Sequence, residues 1–217
     1  MKICGITTSA AIDAAASAGA AYGGLVFHPG SPRFVALEQA AMLAGQMRGR
    51  LKIVGLIADM DDTRIEALVQ TVRPDFLQLH GGESVARTAE IRARFRLPVI
   101  KALPVAQASD LDVAASYEKV ADMLMFDARP PKGATRGGGH GAAFDWKLLE
   151  DRNFTMPWFL AGGLTPDNVA RAIELSGAKQ VDVSSGVEST PGVKDTARIR
   201  AFLDATKNPA PLSKQSA

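Results

Sequence analysis

The residues best suited to chemistry stand where short apolar runs end. Cys4-Gly5 closes the first run, and Asp127 closes another. Gln78-Leu79-His80-Gly81-Gly82 ends a third, Lys101 lies inside a fourth, and His28-Pro29-Gly30-Ser31-Pro32-Arg33 follows a fifth. Gly162-Gly163 and Ser184-Ser185-Gly186 follow the last two. A carboxylate at the end of an apolar strand is costly unless it is solvated or functional, which singles out Asp127. Glycines and serines after neighbouring runs let backbone N–H groups approach an anion closely, a pattern suited to phosphate. Plainer readings stand beside these. Glycine permits tight turns, a lone cysteine is a small buried hydrophobe, and Arg33 suits a solvated loop. His28, His80 and His140 have neither His-x-His nor His-Glu-x-x-His spacing, and clustered carboxylates are missing, so no metal is expected. His80, beside Gln78, reads as a hydrogen-bonding support for a site, and Asp182 as a partner within the eighth run. Trp146 and Trp158 read as core.

Positioning such residues requires a regular frame. Continuous apolar runs rich in β-branched and aromatic residues predict strands over 2–6, 23–27, 53–58, 76–80, 99–103, 123–128, 158–161 and 180–184. Helical patterns fall between and after them, over 9–18, 37–47, 62–72, 84–95, 109–117, 145–149, 166–175 and 195–205. Ser84 is a candidate cap, and Thr165-Pro166 a candidate helix start. An open doubly wound sheet rarely fits eight repeats into this length. A closed (β/α)8 barrel of the TIM class takes the count directly, over residues 1–207. Residues 208–217, with two prolines, two serines and one lysine, read as a disordered tail.

Composition narrows the function classes. With 47% hydrophobic and 22% charged residues, the 217-residue chain suits a well-packed globular protein. Twenty-five basic against 23 acidic side chains give no electrostatic case for nucleic acid or an anionic membrane. A single cysteine excludes an intrachain disulfide and suits a reducing compartment. The alanine-rich stretch 10–21 carries Asp13 and follows a strand-like run, so no cleaved leader is expected, and no apolar run reaches the ~20 residues of a membrane span. The expectation is a cytoplasmic protein, monomer or homodimer, acting on a small phosphorylated molecule without cofactor.

Six segments carry a resemblance. KICGIT at 2–7, SPRFV at 31–35, LQLHGGE at 77–83, FDARPPKGATRGGGHGAAFDW at 126–146, LAGGLTPDNVARAI at 160–173 and VDVSSGVESTPGVKD at 181–195 resemble the signature segments of phosphoribosylanthranilate isomerases of tryptophan biosynthesis. They occur in order and at suitable spacing from Lys2 to about Phe202. One segment departs: where that family often has Gly-Gly-Thr-Gly-Lys, this chain has Gly137-Gly138-Gly139-His140-Gly141. The resemblance implies an Amadori rearrangement, with Cys4 as general base and Asp127 as general acid. It implies that Arg33 meets the anthranilate carboxylate, a task suited to a guanidinium fork. The candidate substrate-binding set is Arg33, Gln78, His80, Lys101 and Asp182, and the phosphate set is Gly162, Gly163, Ser184, Ser185 and Gly186. A basic Cys4 must be a thiolate, so nearby positive potential such as Lys2 is expected to lower its pKa. Without the resemblance, another phosphate-binding epimerase or lyase, or a catalytically silent barrel, would fit the same fold.

Overall fold

The computed structural model describes residues 1–129 and 143–207. The Gly137–Gly141 departure, His140 and the tail therefore lie outside the described residues. Eight parallel strands close a barrel in sequence order: β1 (Lys2–Cys4), β2 (Tyr22–Val26), β3 (Lys52–Ile57), β4 (Phe76–Leu79), β5 (Val99–Val105), β6 (Met123–Ala128), β7 (Trp158–Leu160) and β8 (Gln180–Val183). Closure pairs Lys2 with Asp182 and Ile3 with Val183. Around it lie α1 (Ser9–Ser17), α2 (Leu37–Met47), α3 (Asp62–Val72), α4 (Val85–Phe95), α5 (Ala114–Tyr117), α6 (Val169–Ser176) and α7 (Thr196–Lys207).

Local chemistry accounts for several boundaries. The side chains of Thr8, Asp61 and Ser84 accept the N–H groups of Ala11, Arg64 and Arg87, which caps α1, α3 and α4. The helix expected from Thr165-Pro166 starts three residues later. Asn168 accepts the Thr165 N–H and donates to the Gly163 carbonyl, so 165–168 is held as a turn. The helix expected over 109–117 divides into a 3-10 turn (Ala108–Leu111) and the single turn of α5, and that over 145–149 is a 3-10 turn (Trp146–Leu149). A hairpin absent from the sequence reading follows β8: β9 (Glu188–Thr190) pairs antiparallel with β10 (Val193–Lys194).

Strand alternation separates two apolar layers. Val54, Ile100, Ala102, Met123, Met125, Phe159 and Ala161 pack inside the barrel with Tyr22 and Phe76. Their neighbours Ile53, Val99, Leu103, Leu124, Phe126 and Leu160 join the layer between barrel and helices. The same alternation decides which polar side chains reach the mouth. On β1, Ile3 faces outward, so Lys2 and Cys4 face inward. Leu77 and Leu79 face outward, so Gln78 and His80 face inward, and by the same count Asp127 and Asp182 do too. Lys101 is the exception. It shares the outward face of Val99 and Leu103.

Candidate active site

Two groups stand at the C-terminal mouth, on strands three apart in the closed barrel. Asp127, next to last in β6, has both carboxyl oxygens engaged. Oδ1 accepts the Ala128 N–H at 2.8 Å, and Oδ2 lies 3.1 Å from His80 Nε2. His80 is set in turn by Gln78, whose Nε2 donates to Nδ1 at 2.9 Å and approaches the Met125 sulfur at 3.3 Å. With the Gln78 amide donating to Nδ1, a neutral ring carries its proton on Nε2, on the side of Asp127. The result is a fixed relay from β4 to β6. Gln78 Oε1 is buried without a partner among the described residues.

Cys4 ends β1 and is 4% exposed. Lys2, one inward position below it, is fully buried and donates to Asp182 Oδ1 at 2.8 Å. Burial opposes the charge on Lys2, yet Asp182 and Cys4 together hold its ammonium above the ordinary lysine value. The expectation that Lys2 lowers the thiol pKa is only half met. Burial pushes the Cys4 thiol above its ordinary value, and the pull of Lys2 and Lys194 does not fully offset it. Ser184, the residue after β8, donates its hydroxyl to the Cys4 carbonyl at 3.1 Å.

The loops after β7 and β8 meet. Gly162 and Gly163 both adopt positive φ, +86° and +64°, which favours glycine. Gly186 packs against the Leu164 carbonyl, and a Cβ there would collide with its oxygen. In the hydrogen bonds among the described residues, the N–H groups of Gly162, Gly163, Ser185 and Gly186 take no carbonyl partner. Four amides on two adjoining loops form a cradle suited to an anion.

Two sequence candidates take other partners. Arg33 is 5% exposed, and its Nε and Nη2 grip the Glu188 carboxylate at 2.7 and 2.8 Å, which leaves Nη1 for any further acceptor. Lys101 requires a correction: it lies outside the mouth. Its ammonium bonds Glu83 Oε2 at 2.8 Å, the Gly81 carbonyl at 2.8 Å and the Leu79 carbonyl at 3.4 Å, in the layer between barrel and helices. The sequence reading missed Glu83, Glu188 and Lys194, whose buried charged groups pair with Lys101, Arg33 and Glu188 in turn. Glu83 and Glu188 stand among glycines, serines and other polar residues, so nothing in their local sequence marked them as buried. Among the described residues, no three His, Cys, Asp or Glu side chains converge as a metal site.

Fold and site together define an α/β-barrel enzyme with a thiol and a carboxylate near strand ends and unpartnered loop amides beside them. A family model described as N-(5'phosphoribosyl)anthranilate (PRA) isomerase matches residues 1–205, and the chain belongs to that family. It is 56% identical over 213 residues to the N-(5'-phosphoribosyl)anthranilate isomerase of Rhodopseudomonas palustris (strain BisA53), covering 98% of each protein. The Cereibacter sphaeroides protein of the same name is 53% identical, over 95% of this chain and 98% of that one. Among solved structures, phosphoribosyl anthranilate isomerase from Thermotoga maritima superposes with a TM-score of 0.85 at 33% identity, covering 95% of this chain and 98% of that chain. Another, in complex with reduced 1-(o-carboxyphenylamino)-1-deoxyribulose 5-phosphate, gives 0.81 at 31% identity, covering 95% and 97%.

Proposed function

We propose that the chain converts N-(5'-phosphoribosyl)anthranilate to 1-(o-carboxyphenylamino)-1-deoxyribulose 5-phosphate. The relatives' names and the product analogue bound to a 31%-identical relative support that substrate. One observation carries the chemistry: Cys4 and Asp127 stand at the C-terminal ends of β1 and β6 with inward-facing side chains, three strands apart around the closed barrel. Asp127 protonates the furanose ring oxygen, and the ring C–O bond opens to an iminium ion. Cys4 removes the proton on the second ribose carbon, and the resulting enolamine tautomerises to the ketone. Separating acid from base keeps them from neutralising each other. Gln78 and His80 hold Asp127 in place, Arg33 Nη1 meets the substrate carboxylate, and Asp182 holds Lys2 beneath the base. The enzyme acts in the cytoplasm as a monomer or homodimer, on a small molecule rather than on nucleic acid or membrane. No helix of the described residues is long and apolar enough to cross a membrane.

The test is turnover of freshly generated phosphoribosylanthranilate by purified protein, followed as loss of substrate fluorescence. No turnover by folded protein would overturn the assignment.

The 5'-phosphate sits in the cradle of Gly162, Gly163, Ser185 and Gly186, with Ser184 contributing through its backbone because its hydroxyl is committed to Cys4. Gly186→Ala should force the β8 loop off the Leu164 carbonyl. The expected result is a KM raised about 10–100-fold, the equivalent of one lost charge-assisted hydrogen bond at ~1.5–3 kcal/mol. Steady-state kinetics at a temperature where the variant stays folded is the check. An unchanged KM would remove this loop from the phosphate.

A further inference from the structure

Five charged side chains are buried together around Cys4. Lys2 pairs with Asp182 on β1 and β8. Glu188 on β9 accepts Arg33 from the loop after β2, and Lys194 Nζ from β10 at 2.6 Å. The side chain of Lys194 has no exposed surface. Three cations (Lys2, Arg33, Lys194) against two anions (Asp182, Glu188) leave one positive charge uncompensated, and the Met1 amino terminus also lies within reach of Asp182. A buried unpaired charge is costly. Cys4 is the remaining group in the cluster that can become an anion.

Lys194 is fixed for that purpose. Its Nζ also donates to the Ser184 carbonyl at 2.9 Å and the Ser184 hydroxyl oxygen at 3.2 Å. Ser184 in turn holds the Cys4 carbonyl, and the β1–β8 register sets the two residues level. Lys2, one inward position deeper, donates to Asp182, also lies within side-chain hydrogen-bond reach of Cys4, and exerts the larger pull on the thiol.

We propose that Lys194 is a positioning residue for the base: its ammonium, clamped by Glu188 and Ser184, is a second charge beside that of Lys2 against which the Cys4 thiolate forms. The inference rests on Cys4 being the base of the isomerisation. Burial pushes the Cys4 thiol up, against Lys2 and Lys194, and pushes the Lys194 ammonium down, against Glu188 and Cys4. Burial thus favours the neutral forms of both groups, and the mutual attraction of thiolate and ammonium, which together carry no more net charge than thiol with amine, works against it. When the thiolate takes the substrate proton, the extra positive charge reappears in the cluster, facing an anionic substrate.

Cys4 is the only cysteine, so its Cβ chemical shift in cysteine-labelled protein gives a single titration curve without reagent access. Lys194→Met should raise the midpoint by about one pH unit. Lys194→Arg should keep it near the wild-type value. Glu188→Gln, which removes the competing negative charge, should lower it. An unmoved midpoint in folded Lys194→Met overturns the proposal. Should that variant not fold, a midpoint that stays or rises in Glu188→Gln does so instead. Turnover measured in parallel separates the readings. A wild type that cannot isomerise phosphoribosylanthranilate, yet shows these shifts, sinks the assigned reaction and leaves the Lys194–Cys4 pairing standing.

Discussion

Cys4→Ala and Asp127→Asn should each lower kcat by roughly 10²–10⁴-fold while the barrel stays folded, the usual contribution of a positioned base or acid. Neither change empties much of the core. Cys4→Ala removes one sulfur beside β2, and Asp127→Asn keeps the volume of the side chain. The asparagine does alter the relay. Its oxygen can still accept the Ala128 N–H, but its amide then confronts the His80 Nε2–H with a second donor. Its activity loss should therefore exceed that of a variant that merely weakens the contact, such as His80→Gln. Because burial holds the Cys4 thiol above its ordinary value, wild-type kcat/KM should climb with pH through that range as the thiolate forms. In Cys4→Ala the residual rate should lose that limb. Kinetics with melting curves on the same samples decide the matter. A Cys4→Ala enzyme that keeps more than a tenth of wild-type turnover, or keeps the limb, removes Cys4 from the chemistry.

The barrel was legible because its strands are buried on both sides and read as eight continuous apolar runs. That same continuity hid which side chains face inward. Val99-Ile100-Lys101-Ala102-Leu103 offers no polar alternation, so a lysine inside it looked like a site residue when its side chain points to the helices. At Cys4 and Asp127 the two readings agree, since both residues stand at the C-terminal ends of their strands on the inward face. Glu188 was out of reach for a different reason. Its partner Arg33 is 155 residues away, and only the closed barrel brings the loop after β2 onto the hairpin after β8. The short 3-10 turns around 108–111 and 146–149 have too few residues for helical periodicity to distinguish them from a helix.

Lys101→Met should destabilise the fold by about 3–5 kcal/mol, as expected when one half of a buried ion pair is removed. Lys101 and Glu83 are 2% and 4% exposed, so the orphaned carboxylate would find no water. Glu83 is also the brace of the β3 and β4 loops. Its oxygens accept the Asp59 and Gly81 N–H groups at 2.8 and 3.0 Å, and its carbonyl accepts the Tyr117 hydroxyl at 2.9 Å. For a chain of this length the cost corresponds to a fall in Tm of roughly 6–20 °C. Adding Glu83→Gln should recover part of it. The second change removes the unpaired charge yet keeps a side-chain oxygen, able to serve one of the two loop amides. The active site predicts the rest of the pattern. Lys101 lies behind the barrel wall, so KM measured well below the new Tm should stay within a few-fold of wild type. A variant with unchanged Tm and a strongly raised KM would reverse this placement and return Lys101 to the substrate.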